Sequence, residues 1–502
     1  MRIVITVAHG RFRAMEATLA RRLRAMGHAV RIDFIASQQT DTPGLALLAT
    51  LENMLYGPLR RDLRAPAPPD AAGFDGAADL TIDLAGAATT TPRLFATFDG
   101  ASREAAAVSA LLDRRGPELA IMSGLPDGST RIRERAWPAI EQPHRLTDGL
   151  NRVLGRALDL LIRAVQRWPD GVDAPAANVV EGTARGALAP AIFGAGMLAA
   201  KLAGRLQRLA GGEEASHWRV AWRRPGGDAV RETFAWPRSP YANLPDDAAR
   251  YYADPFIFAR GGKTYLFVEE FPYATQRGII SVCEIGVDGV AGPPRPVLEI
   301  ASHLSYPFVF ERDGVVYMMP ESAGAGSLDL YRAERFPDVW VRDRVLLGDI
   351  AVADATLLER DGRFWLFASA QAEGQSDWDT LSLFHAASLD GPWTPEADNP
   401  VMIDCRQARG AGHFFTRDGR LYRPVQDCSD GYGSALALCE ITRLEPGNFA
   451  QGIAARLPPP AGAGLHGVHT LNDGAGIEVV DLLGAPGDAR KPATSLYSGD
   501  EN

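Results

Sequence analysis

Two aspartates stand at the same place in a repeated motif, and their type and spacing suggest proton-transfer chemistry. Asp254 and Asp354 each precede a turn glycine, Gly262 or Gly362, by eight residues. Two carboxyl groups that face one narrow cavity push their pKa values apart, so that one can donate a proton while the other accepts one. The spacing therefore predicts an acid–base site, provided that the fold brings both aspartates to a common cavity.

The motif occurs five times between residues 260 and 482. Each copy has a turn with glycine and then a run of aromatic and β-branched residues, as in RDGRFWLFASA from Arg360. Asp-Gly or Gly-Gly between apolar runs favours a tight β-hairpin turn. The turn glycines are separated by 52, 48, 57 and 55 residues; they are Gly262, Gly314, Gly362, Gly419 and Gly474. A period of this length is typical of β-propeller blades, so we predict a five-bladed β-propeller.

The strand before each turn is predicted to be the innermost strand of its blade. The position eight residues before each turn glycine then lies on the central channel, and these positions are Asp254, Tyr306, Asp354, Ala411 and His466. The segment HWRVAWRR from His217 predicts a further strand that closes the ring by pairing with the last blade. Such a closure hides the edge strands of a propeller.

Other polar residues of the repeats are candidates for substrate contact. They are Glu269 and Glu270 in blade one, His303 and Glu321 in blade two, Arg406, Arg409, His413 and Asp427 in blade four, and His466 and His469 in blade five. Trp378 and Tyr432 could stack on sugar faces. A structural role, such as a buried Arg409 that pairs only with Asp427, is the alternative reading. Two histidines do not make a closed metal site, so no metal is expected.

The first half of the chain alternates strands and helices. Ile3–Ala8 predicts a strand buried on both faces, a helical spacing follows over residues 12–26, and a second strand begins at Ala29. This order predicts an α/β layer. The predicted organisation is an α/β Rossmann-like lobe at 1–140, a helical linker region at 141–215, the propeller at 216–485 and a flexible tail at 486–502.

Composition and charge indicate which partners and compartment to expect. The formal net charge of −10 argues against nucleic acid. The amino terminus does not resemble a secretory signal, and no segment offers the roughly 20 apolar residues of a membrane span. Residues 186–200 carry no charge, and three basic residues follow by position 208. Segment 186–209 therefore predicts either an interfacial helix on an anionic membrane or a buried helix. We expect a cytoplasmic protein with peripheral contact at the inner membrane face.

The blade motifs resemble a known family. The ordered motifs are YYADPFIF, HLSYPFVF with MMPES, ADATLLERDGRFWLF, and RGAGHFF with RPVQDCS. They are similar to those of bacterial proteins related to the amino-terminal domain of plant glucosamine inositolphosphorylceramide transferases, over Trp218 to Glu478. The resemblance implies a five-bladed propeller like those of arabinanases, β-xylosidases and invertases.

The same resemblance implies roles for several residues. Asp254, followed by Pro255, matches the base or nucleophile of those glycosidases, and Asp354 matches the aspartate that tunes the acid in the arabinanase group. The acid glutamate of blade four is missing, because Arg406, Arg409 and His413 stand in that region. Glu321, or Glu269 or Glu270, could supply the acid from another direction.

Three functions remain open at this point. The resemblance favours a glycosyltransferase that acts on a lipid-linked or polysaccharide acceptor, with Asp254, Asp354 and Glu321 as catalytic residues. The arginines suit a donor with phosphate, such as a nucleotide sugar. Substrate contacts are assigned to Glu270, His303, Tyr306, Arg409, His413, Asp427 and His466. A glycoside hydrolase of the arabinanase or β-xylosidase type is one alternative, and a non-catalytic glycan-binding propeller is another.

The first lobe has a looser resemblance to the amino-terminal lobe of methionyl-tRNA formyltransferases. The resemblance rests on MRIVITVAHG and the helix after it. That family uses an Asn, a His-Pro pair and a distant Asp, but Gly86 to Ile140 contains neither Asn nor His. Formyl transfer is therefore not expected.

Overall fold

The chain divides into two compact units. The computed structural model describes residues 1–36, 42–68, 73–86, 92–125, 128–169, 174–175, 179–180, 185–186, 188–209, 217–286, 289–371, 375–461 and 464–484. The α/β unit comprises Met1–Gly212 with Glu373–Gln375, and the propeller unit comprises Glu213–Ala372 with Ser376–Asn502. The predicted fold class, an α/β lobe and an all-β five-bladed propeller, is confirmed. The predicted tail at 486–502 lies outside the described residues.

The α/β unit is built on one mixed sheet with helices. Its elements are β1 (Arg2–Ala8), α1 (Ala14–Ala25), β2 (Ala29–Ile35), α2 (Leu45–Tyr56), β3 (Leu80–Asp83), β4 (Arg93–Phe98), α3 (Glu104–Leu112), β5 (Leu119–Gly124), β6 (Thr130–Ala136), α4 (Leu146–Gln166), β7 (Ala174–Pro175) and α5 (Leu188–Leu209). The strand order is β2-β1-β3-β4-β5-β6-β7. The pairs from β2 to β4 are parallel and those from β4 to β7 are antiparallel.

Helix α4 is the central helix of this unit. It packs against α1, α3 and strands β4, β5 and β6, and most of its residues are buried, including Leu150 and Leu161. Helix α5 instead exposes a row of apolar side chains. Among the helices of the described residues, none combines the length and the apolar character that crossing a membrane would require.

The propeller unit begins with β8 (His217–Arg223), the short helix α6 (Val230–Thr233) and β9 (Ala242–Asn243). Blade one contains β10 (Arg250–Arg260), β11 (Lys263–Pro272), β12 (Ile279–Ile285) and β13 (Arg295–Leu298). Blade two contains β14 (Ser305–Arg312), β15 (Val315–Glu321), β16 (Leu328–Arg335) and β17 (Val339–Leu347), with a 3₁₀ turn at Ala323–Ala325. Blade three contains β18 (Val352–Arg360), β19 (Arg363–Ala370), β20 (Thr380–Ala386) and β21 (Thr394–Pro395), and β22 (Met402–Ile403) also pairs with β20.

Blade four contains β23 (Phe415–Arg417), β24 (Arg420–Asp427), β25 (Ala435–Glu445) and β26 (Asn448–Leu457). Blade five contains β27 (Leu471–Gly474), β28 (Ile477–Gly484), β8 and β9. The predicted closure by the segment at His217 is confirmed, because β8 pairs with β28 throughout their length. The core lies between neighbouring sheets, where Phe256 and Phe267 of blade one join Phe308 of blade two in one buried cluster.

A buried network fastens the closure. Arg223 on β8 donates from Nε to Glu478 Oε1 on β28 at 2.7 Å, and the Tyr241 hydroxyl donates to the same oxygen at 2.7 Å. The Val230 N–H donates to Glu478 Oε2 at 2.6 Å. Because a buried carboxylate must be paired or hydrogen-bonded, Glu478 fixes α6 and both strands in one arrangement.

The hairpin turns show where the repeat was aligned correctly and where it was not. In blades two to four, Asp-Gly supplies two residues with positive φ, as at Asp313 (51°) and Gly314 (80°). In blade five the corresponding pair is Ala475 (51°) and Gly476 (71°), so Gly474 was the wrong marker by two residues. The innermost strands of blades four and five also begin later than predicted, at Phe415 and Leu471.

Candidate active site

Three inner strands share one unusual backbone feature. Asp254, Tyr306 and Asp354 have φ values of 48°, 44° and 51°, and in each blade the strand register shifts at this point. The left-handed region is costly for residues other than glycine, and such strain persists where the surroundings impose it, often at functional sites. A β-bulge redirects the side chain of a strand. The predicted column thus has a common geometry in blades one to three.

Asp254 lies in a buried cluster with residues of blade five. His469 Nε2 is 3.3 Å from Asp254 Oδ1, and His469 Nδ1 is 2.9 Å from Asp481 Oδ2. Thr470 Oγ1 donates to Asp254 Oδ1 at 2.8 Å, and the Tyr306 N–H donates to Asp254 Oδ2 at 3.1 Å. The groups that contact the Asp254 carboxylate belong to the neighbouring blades: the side chains of His469 and Thr470 to blade five and the Tyr306 N–H to blade two. The cluster therefore requires the closed ring.

The protonation of this cluster follows from its burial and its charges. Burial raises the pKa of Asp254 to about 7; the charge of His469 opposes this rise, while Glu269, Asp354 and Asp481 add to it. Burial lowers the pKa of His469, but Asp481 and Asp254 outweigh it and raise the value to about 9. Asp254 is therefore able to exchange a proton near neutral pH, beside a histidine that is charged.

Asp254, His469 and Asp481 are also close enough together to surround a cation, with ligand atoms within 4.8 Å of one another. The contacts also suit an imidazolium. Both ring nitrogens of His469 face a carboxylate oxygen, Nδ1 at 2.9 Å from Asp481 and Nε2 at 3.3 Å from Asp254, and two protons on the ring satisfy both contacts. Asp481 already accepts backbone N–H bonds from Asp254, His469 and Thr470. We interpret the cluster as an ion-paired triad.

Asp354 lies in a second cluster, formed with blade four. Arg409 donates from Nε to Asp354 Oδ2 at 2.5 Å, and Gln426 Nε2 donates to the same oxygen at 2.9 Å. Arg409 Nη1 is also 3.2 Å from Asp377 Oδ1. The predicted pairing of Arg409 with Asp427 is not observed. Arg409 instead balances the carboxylates around Asp354.

Glu321 adjoins this second cluster from blade two. Its Oε2 accepts the Asp354 N–H at 3.0 Å and lies 3.9 Å from Arg409 Nη2. Burial raises the pKa of Glu321 well above its usual range, and the charge of Asp354 raises it further, against the opposing effect of Arg409. Burial and the charge of Asp354 therefore favour the protonated form of Glu321, which can donate a proton.

Tyr306 of blade two links its blade to blades three and four. Its side chain is fully buried, and its hydroxyl lies 2.9 Å from Thr356 Oγ1 of blade three. The Gly412 N–H of blade four donates to the same hydroxyl at 2.7 Å. Only glycine fits at position 412, where an added Cβ would lie 2.1 Å from the Leu471 carbonyl oxygen. Tyr306 therefore positions the blades, and its burial keeps it from a direct substrate contact.

Aromatic rings border Arg409 and His469. The Arg409 guanidinium lies 5.1 Å from the centre of the Tyr432 ring, and Tyr432 lies 5.4 Å from both Trp378 and His469. Trp218 lies 4.1 Å from His469. Partly exposed aromatic rings beside polar groups are typical of carbohydrate and small-molecule sites.

The two glutamates of blade one point in opposite directions. Glu270 is bound by Arg250 Nη1 and by Ser281 Oγ, the latter at 2.5 Å, so it holds the blade together. Glu269 faces the site, and its Oε1 lies 3.2 Å from His303 Nε2. Alternation along a strand explains the difference. Glu269 therefore replaces Glu270 in the candidate site.

The remaining predicted residues lie elsewhere. His413 packs against Phe256 and Phe308, and burial lowers its pKa to about 4, so it is a neutral core residue. Asp427 is paired with Arg456 and bound by Ser429. His466 is exposed and its Nδ1 lies 3.3 Å from the Gly464 carbonyl oxygen. The structure does not bring these three to the clusters of Asp254 and Asp354.

His469 was named as a candidate, but the eight-residue spacing did not select it. The segment NDGAG contains two turn candidates: Gly474 gives His466 as the channel position, and the observed turn at Gly476 gives Val468, the neighbour of His469. The pairing of Leu471 with Val480 requires the later turn. Matching the apolar runs on both sides of the turn could have identified it.

Comparison with known proteins supports the resemblance seen in the blade motifs. Residues 241–455 match the family described as "Glucosamine inositolphosphorylceramide transferase 1, N-terminal". Glucosamine inositolphosphorylceramide transferase 1 of Oryza sativa subsp. japonica is 37% identical over 200 residues, and that of Arabidopsis thaliana is 35% identical over 212 residues. These alignments cover 39% and 40% of this chain. The chain spans about a quarter (27%) of the length of either curated relative.

Solved structures also align with part of the chain. The catalytic domain of the Coprinopsis cinerea GH62 alpha-L-arabinofuranosidase aligns with a TM-score of 0.35 and 12% identity, covering 54% of this chain and 98% of that one. A family 117 glycoside hydrolase of Zobellia galactanivorans aligns with a TM-score of 0.33 and 14% identity, covering 57% and 96%. The five sheets of this chain themselves establish the propeller fold.

Proposed function

We propose that this protein is a carbohydrate-active enzyme that transfers a sugar from a nucleotide-sugar donor to a lipid-linked or polysaccharide acceptor. The observation that supports catalysis is the pair of carboxyl groups with raised pKa values, Asp254 at about 7 and Glu321 well above its usual range, which adjoin the clusters on the strained inner strands. The names of the plant relatives favour transfer over other sugar chemistry.

The reaction assigns a role to each cluster. Asp254, ionised in part at neutral pH, accepts the proton of the acceptor hydroxyl as its oxygen bonds to the anomeric carbon of the donor. Glu321 donates a proton to the oxygen of the leaving group as the bond from that carbon breaks. A pKa near the working pH is optimal for general acid–base catalysis. Arg409 and Asp354 orient Glu321, and His469 stabilises the charge on Asp254.

Donor turnover tests this proposal most directly. The purified protein is incubated with a panel of nucleotide sugars and a lipid extract, and labelled sugar is followed into the lipid fraction. Transfer that Asp254→Asn abolishes is the expected result. A donor at 100 times its dissociation constant should also stabilise the fold by about 2.7 kcal/mol. The absence of transfer and of stabilisation with every donor would contradict the proposal.

The same acid–base pair is also sufficient for hydrolysis, which is the second candidate function. Glu321, whose raised pKa favours its protonated form, and a partly ionised Asp254 can serve as acid and base for cleavage of a glycosidic bond by water. Release of sugars from arabinan or xylan oligosaccharides, without any transfer from nucleotide sugars, would favour a glycoside hydrolase. Binding of these glycans without turnover would favour a non-catalytic glycan-binding propeller.

Helix α5 supports a membrane contact for the α/β unit. Leu188, Ile192, Leu202 and Leu206 lie along one face and are 57–71% exposed. Arg205 is exposed on the same helix, whereas the Lys201 ammonium donates to the Leu55 carbonyl oxygen at 2.7 Å within the unit. A row of exposed apolar side chains with a basic residue beside it suits the headgroup region of an anionic bilayer. We place this contact at the cytoplasmic face of the membrane, where a lipid-linked acceptor would be reached.

Vesicle binding tests the membrane contact. The double variant Leu202→Ser/Leu206→Ser should reduce co-sedimentation with phosphatidylserine-containing vesicles, whereas Val290→Ser, an exposed apolar residue of the propeller unit, should not. Equal binding of the wild type to anionic and neutral vesicles would contradict the role of the basic residues.

A further inference from the structure

We propose that the rim of blade one carries a binding subsite for an uncharged pyranose ring, formed by Tyr251, Phe271 and Tyr273 with Glu269 and His303 at its polar end. The three aromatic residues are called the aromatic platform below. The subsite deepens the proposed function and rests on it, because it supplies a place for the acceptor or donor sugar beside Asp254.

The aromatic platform is a surface feature. Tyr251 and Phe271 are direct partners on β10 and β11, and their rings lie 4.8 Å apart with an angle of 6° between their planes. The Tyr273 ring lies 6.2 Å from that of Tyr251. Tyr273 is 37% exposed, whereas Phe256 and Phe267 of the same blade are fully buried. Tyr251, Phe271 and Tyr273 therefore present partly exposed aromatic surface, which fits the apolar C–H face of a pyranose.

Polar groups converge at the end of the platform nearest the site. Ala253 and Glu269 are strand partners two residues along from Tyr251 and Phe271, so Glu269 lies on the platform's face of blade one. The Tyr251 hydroxyl donates to Glu269 Oε1 at 3.4 Å, and His303 Nε2 lies 3.2 Å from the same oxygen. A carboxylate offers about four acceptor positions, so Glu269 can also accept a sugar hydroxyl.

His303 is held in place as a donor. The Gly278 N–H donates to His303 Nδ1 at 2.9 Å, which leaves the ring proton on Nε2, facing Glu269. An added Cβ at position 278 would lie 2.5 Å from the Leu304 carbonyl oxygen and 2.6 Å from His303 Cε1. The glycine thus allows the close approach that fixes the imidazole. The His303 side chain is 43% exposed, so a ligand can reach it.

The electrostatic surroundings select the class of sugar. Tyr251 and Asp254 lie three residues apart on β10, and Glu269 is the strand partner of Ala253 between them, so the platform lies near the candidate base. Glu269 adds a second carboxylate at this end, whereas Arg409 is already paired with Asp354 and Asp377. A carboxylate or phosphate on the ligand would meet like charge here. An uncharged pyranose is therefore the ligand that the subsite fits.

Ligand titration by saturation-transfer NMR tests the subsite. The full-length Asp254→Asn protein, which prevents turnover, is titrated with the methyl β-pyranosides of glucose, galactose and mannose and with methyl β-glucuronide. Phe271→Leu and Tyr273→Ala should each weaken binding of the best neutral glycoside by roughly tenfold, as expected for loss of an aromatic contact. Tyr317→Leu is the matched control, because Tyr317 stacks on Phe310 at 5.5 Å at the turn end of blade two.

The outcomes separate the subsite from the proposed reaction. Unchanged affinity in both platform variants, no binding of any neutral glycoside, or tighter binding of the glucuronide would each overturn the subsite. Donor turnover is measured separately on the wild type and on Phe271→Leu and Tyr273→Ala proteins in which Asp254 is intact. A wild-type protein that turns over no nucleotide sugar but binds neutral glycosides through the platform would refute the transferase proposal and support the subsite.

Discussion

Asp254 and Asp354 have the same backbone conformation but pair with different cations. Asp254 lies beside His469 of blade five, and Asp354 lies beside Arg409 of blade four. Asp254, with a pKa of about 7, titrates beside the His469 imidazolium, whose own pKa is about 9, whereas the Arg409 guanidinium keeps its proton throughout. The blade-one cluster can therefore change its charge during a reaction, and the blade-three cluster keeps a permanent cation. Equivalent positions in a repeat acquire different chemistry from the neighbouring blade.

Among the substitutions that test this comparison, Asp254→Asn should have the largest effect, on transfer activity. It removes the proton acceptor but preserves the shape of the side chain, so transfer should fall by about 10³-fold, while the protein stays folded. Steady-state kinetics with the identified donor would measure the loss. Asp427→Asn, at a buried aspartate outside the site, is the control and should retain activity. Activity of Asp254→Asn within tenfold of the wild type would remove Asp254 from the catalytic role.

The substitution Arg409→Met tests the permanent cation. It leaves Asp354 buried without its guanidinium, and removing one partner of a buried ion pair costs about 3–5 kcal/mol of unfolding free energy. Chemical denaturation would measure this change. Arg344→Met, which breaks an exposed pair with Asp390, should cost less than about 1 kcal/mol. Equal effects of the two substitutions would show that the cluster of Asp354 is solvated.

The dependence of stability on pH tests the titrating cluster. The folded-state pKa of His469 is raised from 6.5 to about 9, so its stabilising contribution is complete below pH 6.5 and is lost as the pH rises through 9. Asp254, raised from 3.8 to about 7, acts in the same direction at lower pH. The unfolding free energy should therefore fall between pH 6.5 and 9.

His469→Gln should flatten this fall, as measured by denaturation at several pH values. His413→Gln is the control, because the pKa of His413 is about 4 and the residue is neutral throughout the window. A steep fall that persists in His469→Gln would assign the titration to another group.

The smallest effect is expected when a charge is removed from one of the two glutamates of blade one, and the effect should differ between them. The charge of Glu269 contributes to the raised pKa of Asp254. Glu269→Gln should therefore lower the pKa of Asp254 and shift the acidic limb of the kcat/KM profile to lower pH. Glu270→Gln removes a charge that is bound by Arg250 and should leave that limb in place. A shift in both variants would show that the pKa of Asp254 depends on the total negative charge of blade one and not on the carboxylate of Glu269 alone.

The sequence predicted the propeller well because blades are local units. Each turn lies between two strands that pair with each other, and so the five hairpins could be identified from the turn glycines and the apolar runs. Asp254 and Asp354 could be found for the same reason, because both are set by distance from a turn. In the α/β unit, β1, α1 and β2 also lie where the apolar periodicity of the sequence predicted them.

Contacts between blades could not be predicted in this way. The partner of Arg409 is Asp354, 55 residues away on another blade, and no local pattern distinguishes it from Asp427. The choice between Glu269 and Glu270 depends on which strand face meets blade two. His469 could not be selected by the spacing rule, because eight residues before Gly474 or Gly476 lies His466 or Val468, and only the contact with Asp254 across the blade boundary distinguishes His469.

The closure of the ring has a consequence for the order of events during synthesis. Arg223 and Glu478 are 255 residues apart in the sequence, and Asp481 lies on the same strand as Glu478. Pairing over such a separation gives the propeller a high contact order, which slows folding. While the ribosome is still translating, β8 can pair with β9, but its other neighbour, β28, is the last strand of the ring to emerge. Asp254 acquires His469 and Asp481 only then, so proton transfer by Asp254 would report that folding of the ring is complete.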